Sequence, residues 1–337
     1  MRRQHPQKKE GLPLSSHPQQ EREMQETSTA VVFEAPGSLA LREVQLPACG
    51  TGDCIVDVEW TGISTGTERL LWDGQMPPFP GLGYPLVPGY ETVGRVSDTG
   101  DNTFLKAGTR VFVPGSRGFK DVQGLFGGAA KHLVVASDRV VPLPESITEN
   151  AILLALAATA VHALNRLQWV GLPDLIVGHG VLGRLLARIA IARGVNDLTV
   201  WETEPRRQDS DGSYRVIDPQ QDDGSYNIIC DVSGNARGLD QFIGQLNKRG
   251  TLLLAGFYHE PVKFDFAPAF MREMSLLIAA EWQPGDMHEA LELVRNGVLS
   301  LDGLITHRFA VSDASEAYNT AFSDPGCLKL ILDWRSA

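Results

Sequence analysis

The sequence predicts an α/β protein in two parts, a small β-barrel in front and an open parallel sheet covered by helices on both faces behind it. From residue 30 to about 143, short runs rich in β-branched residues are separated by Gly, Pro and Asp, the pattern of a barrel of short strands. From residue 149 onward helical and strand patterns alternate, as parallel strands joined by helical crossovers require. At the first crossover stands Gly178-His179-Gly180-Val181-Leu182-Gly183, between the apolar run 175–177 and the helical run 184–193.

Residues 1–28 are rich in Gln, Pro, Ser and charge, and read as a disordered extension, with Met24 a possible internal start. Arg2-Arg3 is followed by no apolar stretch, so it does not form a twin-arginine signal. The first domain, 29–150, carries strands at 30–33, 54–58, 92–96, 110–113 and 132–135. The second, 151–282, begins with an Ala- and Leu-rich helix over 149–167. Strands at 175–177, 198–201, 226–231, 250–256 and 275–279 follow, with a helix over 238–247. Between Glu202 and Tyr226 there is too little chain for two crossover helices, so the sheet is expected to be trimmed there. The remainder, 283–337, adds a helix at 287–296 and a strand at 328–332, and is expected to return to the first domain.

A chain of 337 residues is long enough for two such cores. The net charge of −11 argues against nucleic acid as a partner, since a phosphate backbone needs a concentrated basic face. Apolar runs such as 151–164 are too short and interrupted to span a bilayer, although peripheral contact stays open. The four cysteines, Cys49, Cys54, Cys230 and Cys327, form no CxxC pair. Neither a disulfide framework nor a zinc knuckle is indicated, and a reducing cytoplasmic setting is the simplest expectation.

Each part of the glycine loop has a mechanical role in holding a dinucleotide. Gly178 permits the tight turn, Gly180 the approach of a pyrophosphate, and Gly183 close packing of helix on strand. Val181 and Leu182 open the helix whose free N–H groups and dipole favour the anion, while His179 falls at a variable position exposed by the loop. Glu202 ends the next strand, where a carboxylate accepts from the adenosine ribose and repels a 2′-phosphate, so NAD is favoured. Arg206 and Arg207 could instead hold that phosphate, which keeps NADP open. Gly256 and Tyr258, with His259, follow a strand end where the sheet lines the crevice. The alternative is a glycine-rich turn that holds no nucleotide.

Three further runs stand at characteristic places: residues 60–68 (Trp60 to Glu68, with Gly62-Ile63-Ser64-Thr65-Gly66-Thr67 inside it), residues 87–94 (with Pro88-Gly89-Tyr90-Glu91), and residues 158–163 (with Thr159 and His162). With the order of the domains, they resemble the medium-chain dehydrogenase/reductase superfamily over about residues 29–335. That resemblance implies a GroES-like β-barrel catalytic domain and a Rossmann doubly wound parallel sheet. Zinc-using members place a cysteine in the first run, a histidine in the second and a Cys or acidic ligand on the helix. Here those places hold Ser64 or Thr65, Tyr90 and Ala155; only Glu91 nearby is a zinc-ligand type, so no metal is expected. The wording of 62–68, 88–91, 178–188 and 199–202 resembles the bacteriochlorophyllide a dehydrogenase branch. This implies oxidation of a 3-(1-hydroxyethyl) side chain on a magnesium bacteriochlorin to 3-acetyl, with NAD+ accepting the hydride.

A carbinol attached to an extended π-system delocalises the positive charge that develops as hydride leaves, so a hydrogen-bond relay with a base can replace a Lewis acid. Tyr90 is the first choice for general base or alkoxide donor, its phenol made more acidic by a cationic nicotinamide; the alternative is an aromatic filling a vacated metal cavity. Ser64, Thr65 and Thr67 either relay a proton or cap a helix. Glu68 and Glu91 either tune the site or form an ion pair, and His162 is either catalytic or a satisfied core group. Trp60, Trp72, Phe79, Tyr84, Phe119 and Phe126 are candidates to line the substrate slot, and Arg117 and Lys120 on the glycine-rich loop 115–128 to meet a substrate carboxylate. Two rival functions stay open, a zinc-free quinone or enone reductase using NADPH and a non-catalytic NAD(H)-binding regulatory protein. The apolar strand at 275–280 favours a homodimer paired edge to edge.

Overall fold

The computed structural model describes residues 26–101 and 103–337. The chain opens with the antiparallel pair β1 (Thr27–Ala35) and β2 (Ser38–Gln45), then the long β3 (Asp53–Ile63) and the short helix α1 (Thr67–Trp72). There follow β4 (Leu86–Val87), β5 (Thr92–Thr99), β6 (Arg110–Val113), β7 (Gln123–Gly124), β8 (His132–Ala136) and β9 (Val141–Pro142). Thr27 and Ser28, placed in the N-terminal extension by their polarity, pair with Gln45 and Val44 in β1. The rest of the expected disordered segment, 1–25, lies outside the described residues.

The second half begins with α2 (Leu154–Arg166), preceded by a 3-10 turn over Glu149–Leu153. It continues through β10 (Leu175–Val177), α3 (Val181–Ala192), β11 (Thr199–Trp201), β12 (Arg215–Ile217), β13 (Tyr226–Asp231), α4 (Leu239–Gln245), β14 (Leu246–Leu254), α5 (Phe266–Arg272) and β15 (Ser275–Ile278). The chain closes with α6 (Pro284–Arg295), β16 (Ile305–Ala310), α7 (Ala314–Ser323) and β17 (Lys329–Asp333). The parallel sheet runs β12-β11-β10-β13-β14-β15, so β10 has β11 on one side and β13 on the other. That reversal of winding is where an open α/β sheet leaves a crevice at its strand ends. As expected, no α-helix separates β11 from β12. A short 3-10 turn at Pro205–Arg207 takes the chain round instead, and another at Pro219–Gln221 leads from β12 to β13.

The tail beginning at residue 283 divides in a way its sequence does not announce. Its helix α6 packs on α2, with Met287, Ala290 and Leu291 in the same core as Ala155, Ala158 and Leu186. The rest of the tail, β16, α7 and β17, rejoins the barrel, where β17 pairs antiparallel with β3 and α7 packs in the barrel core. The amphipathic repeat of α6 fits the helical layer, whereas the apolar strand 328–332 needs a sheet on which to pair. Among the described residues no helix is long and apolar enough to cross a membrane.

Candidate active site

The barrel brings Ser64, Tyr90 and Glu91 together because β3 ends at Ile63 and β5 begins at Thr92 beside it. The Tyr90 hydroxyl donates to Ser64 Oγ at 2.7 Å, and the Thr67 side chain also bonds it. Ser64 is thus the member of the Ser64-Thr65 pair that joins the site; Thr65 is half-buried beside it. Phe126 meets the Tyr90 ring edge-on at 5.6 Å, and Phe79, 46% exposed, packs on Phe126 at 6.3 Å. These two rings make an aromatic lip next to the phenol. Trp60 and Trp72 belong to other surroundings: Arg335 covers the first, and the second stacks on Tyr318. The Arg117 guanidinium is bonded to Asp53.

Tyr90 departs from its expected acidity. Burial, followed by the negative charge of Glu91, pushes the phenol well above its ordinary value. In the protein itself the phenol keeps its proton and donates it to the Ser64 hydrogen bond.

Behind Tyr90 lies a dry cluster of charge. Glu91 is fully buried and its Oε2 accepts from Lys329 Nζ at 2.6 Å, while its Oε1 has no partner. Glu68, on α1, is 1% exposed; its Oε1 accepts from the Ser64 amide at 3.3 Å and its Oε2 from the Tyr318 hydroxyl at 3.0 Å. Burial, then the charge of Glu91, raises the Glu68 carboxyl to about 8. Gly62 is required here: a Cβ would lie 2.4 Å from Glu91 Oε2 and 2.6 Å from the Ile152 side chain. Lys329 was within reach of sequence reasoning, because a lysine in the otherwise apolar run 328–332 must find a buried counter-charge. Tyr318 gave no such signal.

These donors do not suit zinc. Ser64 and Tyr90 bring hydroxyls where zinc needs thiolate or imidazole, and the one bonded Glu91 oxygen holds an ammonium. Among the described residues no cluster of three or more His, Cys, Asp or Glu groups is arranged for a metal.

His162 lies apart from this chemistry. Its Nδ1 bonds Asp286 Oδ2 at 2.8 Å, because the capping box of α6 turns Asp286 onto α2; Asn165 and Arg193 extend the same clasp. A histidine so held joins two helices.

At the crevice, Gly178 has φ +103°, and a Cβ on Gly183 would sit 1.9 Å from the Gly178 carbonyl oxygen. Around a Cβ on Gly180 there is open space. Gly180 caps α3, whose first residues are Val181 and Leu182. His179 is fully buried instead of exposed, bonded to Tyr214 at 2.9 Å and to the Arg207 carbonyl, because the segment 202–214 folds under the loop. Burial pushes its imidazole pKa down. Arg184, which the motif gave no reason to single out, bonds the His179 and Arg207 carbonyls and Asp209.

Glu202 accepts from the His179 amide at 3.0 Å and the Glu204 amide at 2.8 Å, so its carboxylate is fixed at the end of β11. The Arg207 guanidinium is turned away to the carbonyls of Pro325 and Cys327, and Arg206 to Glu204 and Asp324. Both arginines are thus bonded to the segment 324–327 of the returning tail. Gly256 lies against Gly234, where a Cβ would come within 2.7 Å of the backbone. The Tyr258 hydroxyl donates to Asp231, whose carboxyl is raised by burial.

Residues 50–145 match the alcohol dehydrogenase GroES-like domain family. The 2-desacetyl-2-hydroxyethyl bacteriochlorophyllide A dehydrogenase of Rhodobacter capsulatus is 52% identical over 309 residues, 91% of this chain and 98% of that protein. Among solved structures, an alcohol dehydrogenase from Escherichia coli CFT073 in complex with NADH superposes with a TM-score of 0.79 at 20% identity, over 92% of this chain and all of the other. A dehydrogenase from Sinorhizobium meliloti bound to NADP gives 0.76 at 20% identity, over 92% and 100%. The barrel, the glycine loop at the switch point and the near full-length identity place this chain in the bacteriochlorophyllide dehydrogenase family of the medium-chain dehydrogenase/reductases.

Proposed function

We propose that this chain oxidises the 3-(1-hydroxyethyl) group of a bacteriochlorophyllide to 3-acetyl without a metal, using NAD+. The observation that carries the substrate is the 52% identity over 98% of the Rhodobacter capsulatus dehydrogenase, whose name states that substrate. NAD+ supplies the hydride acceptor. Gly178, Gly180, Val181, Leu182 and Gly183 form the cradle for its pyrophosphate, with Gly256 and Tyr258 along the crevice. His179 acts from beneath, holding the loop to Tyr214. The fixed carboxylate of Glu202, with both nearby arginines engaged elsewhere, supports NAD over NADP.

At the reacting carbon, Tyr90 holds the carbinol oxygen and passes its proton to Ser64, with Thr67 steadying the phenol. Phe126 and Phe79 offer a flat macrocycle an apolar wall. The π-system of the ring takes up charge at the carbinol carbon, so hydroxyl donors suffice where a zinc ion would otherwise act. Glu91 tunes the site from behind, anchored by Lys329.

The edge strand β15, with Leu276 and Ile278 exposed beside Phe266, Phe270 and Met271 of α5, supports a homodimer joined along that edge.

The test is turnover of a 3-(1-hydroxyethyl) bacteriochlorin with NAD+ by protein stripped of metal with a chelator. The expected result is a red-shifted long-wavelength band rising in step with NADH, with NADP+ at least tenfold less effective. Loss of activity on chelation, restored by zinc, would refute the metal-free reading.

A further inference from the structure

Resting on the reading above, the reaction releases a proton for which the groups at the lip provide no store. Tyr90 is too weak an acid to stay ionised, and Ser64 and Thr67 are neutral hydroxyls. Directly behind them stand two buried carboxylates, Glu68 and Glu91, with one ammonium, Lys329, bonded to Glu91 alone. A dry site does not hold a net negative charge cheaply, so this trio favours one exchangeable proton, and it falls to the carboxylate without the ammonium.

Glu68 is joined to the relay through Ser64. That residue takes the Tyr90 proton on its Oγ and gives its amide hydrogen to Glu68 Oε1, so phenol, hydroxyl and carboxylate meet at one residue. The groups facing Glu68 are Glu91 ahead of β5, Lys329 on β17, Tyr318 on α7, and Ser64 after β3. Only Glu91 and Lys329 carry charge among them, and the unpartnered Glu91 Oε1 marks the cluster as short of one hydrogen.

We infer that Glu68 is the acceptor of the carbinol proton, acting through Ser64 and Tyr90. As the carbinol C–H bond breaks, its electron pair leaves as hydride to NAD+, and the O–H electron pair closes the carbonyl. The O–H proton passes to Tyr90 and the Tyr90 proton to Ser64 Oγ, whose own O–H, turned toward the carboxylate that the Ser64 amide holds, gives its proton to Glu68 Oε1. Both hydroxyls end neutral, Glu68 ends as the carboxylic acid, and it returns the proton to water when product leaves. The ionisation of Glu68 near 8 then matches a base that works at mildly alkaline pH.

Glu68 does not touch the substrate, so the test needs readouts that a merely structural role would not move. Infrared difference spectra of the full-length protein alone, between pH 6.5 and 9.5, are expected to show loss of a protonated carboxyl band in the wild type and none in Glu68→Gln. With substrate and NAD+, kcat of the wild type rises about tenfold per pH unit up to about 8 and then levels. Glu68→Gln is expected to be roughly 10²-fold slower at pH 9 with a flat profile. Glu68→Asp keeps a slope, and unchanged NADH binding by both variants checks that they fold. A Glu68→Gln enzyme that keeps the wild-type slope, or an unchanged infrared band, overturns the inference alone. A wild type that never oxidises the hydroxyethyl group overturns the proposed activity, and this role with it.

Discussion

Replacing Lys329 by methionine removes a buried charge while keeping most of the apolar stem. The lysine is 2% exposed and Glu91 not at all, so no water stands ready to take over the 2.6 Å bond. Breaking a buried ion pair by removing one partner typically costs about 3–5 kcal/mol, because the remaining charge is stranded. Here the stranded group already has one unpartnered oxygen and a second carboxylate, Glu68, nearby, so the upper half of that range is expected. Adding Glu91→Gln removes the stranded charge and should recover about 2 kcal/mol or more, a coupling typical of residues in contact. Urea unfolding followed by tryptophan fluorescence is a direct assay, since Trp334 is buried next to β17 and donates to Thr61. A midpoint shift at constant m-value equivalent to under 1 kcal/mol, or a double variant that is simply additive, would refute the picture of a dry, paired site.

Gly180→Ala and Gly183→Ala separate cofactor approach from folding. The first meets open space and should fold normally, yet bind NADH about 1–3 kcal/mol more weakly, as isothermal titration would read. The second meets the Gly178 carbonyl at 1.9 Å and should lower the melting temperature before any binding is measured. Stability should also depend on pH through Glu68: its folded value of about 8 lies above the ordinary 4.5, so stability is greatest below 4.5 and is lost as pH rises through about 8. Denaturation at pH 6, 8 and 9 should show a fall of about 1 kcal/mol per pH unit up to about 8 and little beyond it, and Glu68→Gln should abolish the fall. If the proposed dimer forms along β15, Ile278→Lys, 65% exposed at the open edge, should leave the fold intact and turn it to monomer in analytical ultracentrifugation; an unchanged mass would discard β15 as the joining edge.

The parts of the fold legible in the sequence are those whose residues report locally. The strand 175–177, the glycine loop and α3 follow one another without a gap, and backbone geometry alone demands Gly178 and Gly183. The largely buried strands β3, β5, β6, β8 and β17 carry short β-branched or apolar runs. β12 and β16 escape because they sit at sheet edges with half-exposed faces, so their polar residues hide the period. The helix α5 escapes because Pro268 lies inside its short run.

The site was legible as a set of residue types but not as a circuit. Ser64 and Tyr90 announce themselves by standing where a metal site would supply other atoms, and Glu91 by standing beside them. What each does depends on partners far along the chain: Lys329 for Glu91, Tyr318 for Glu68, Tyr214 for His179, Asp286 for His162. His179 and His162 show the physical reason. An imidazole's role is set by what its second nitrogen bonds, and no local pattern carries that information. Lys329 is the exception, since a charge inside an apolar strand cannot be left unpaired, and its place in the run 328–332 already required an acidic partner across the sheet. In this chain, therefore, an anomalous charge in an apolar strand was a better pointer to the chemistry than a histidine on a helix. The cluster it leads to, an ion pair beside a second buried carboxylate, is also where the proposed relay ends.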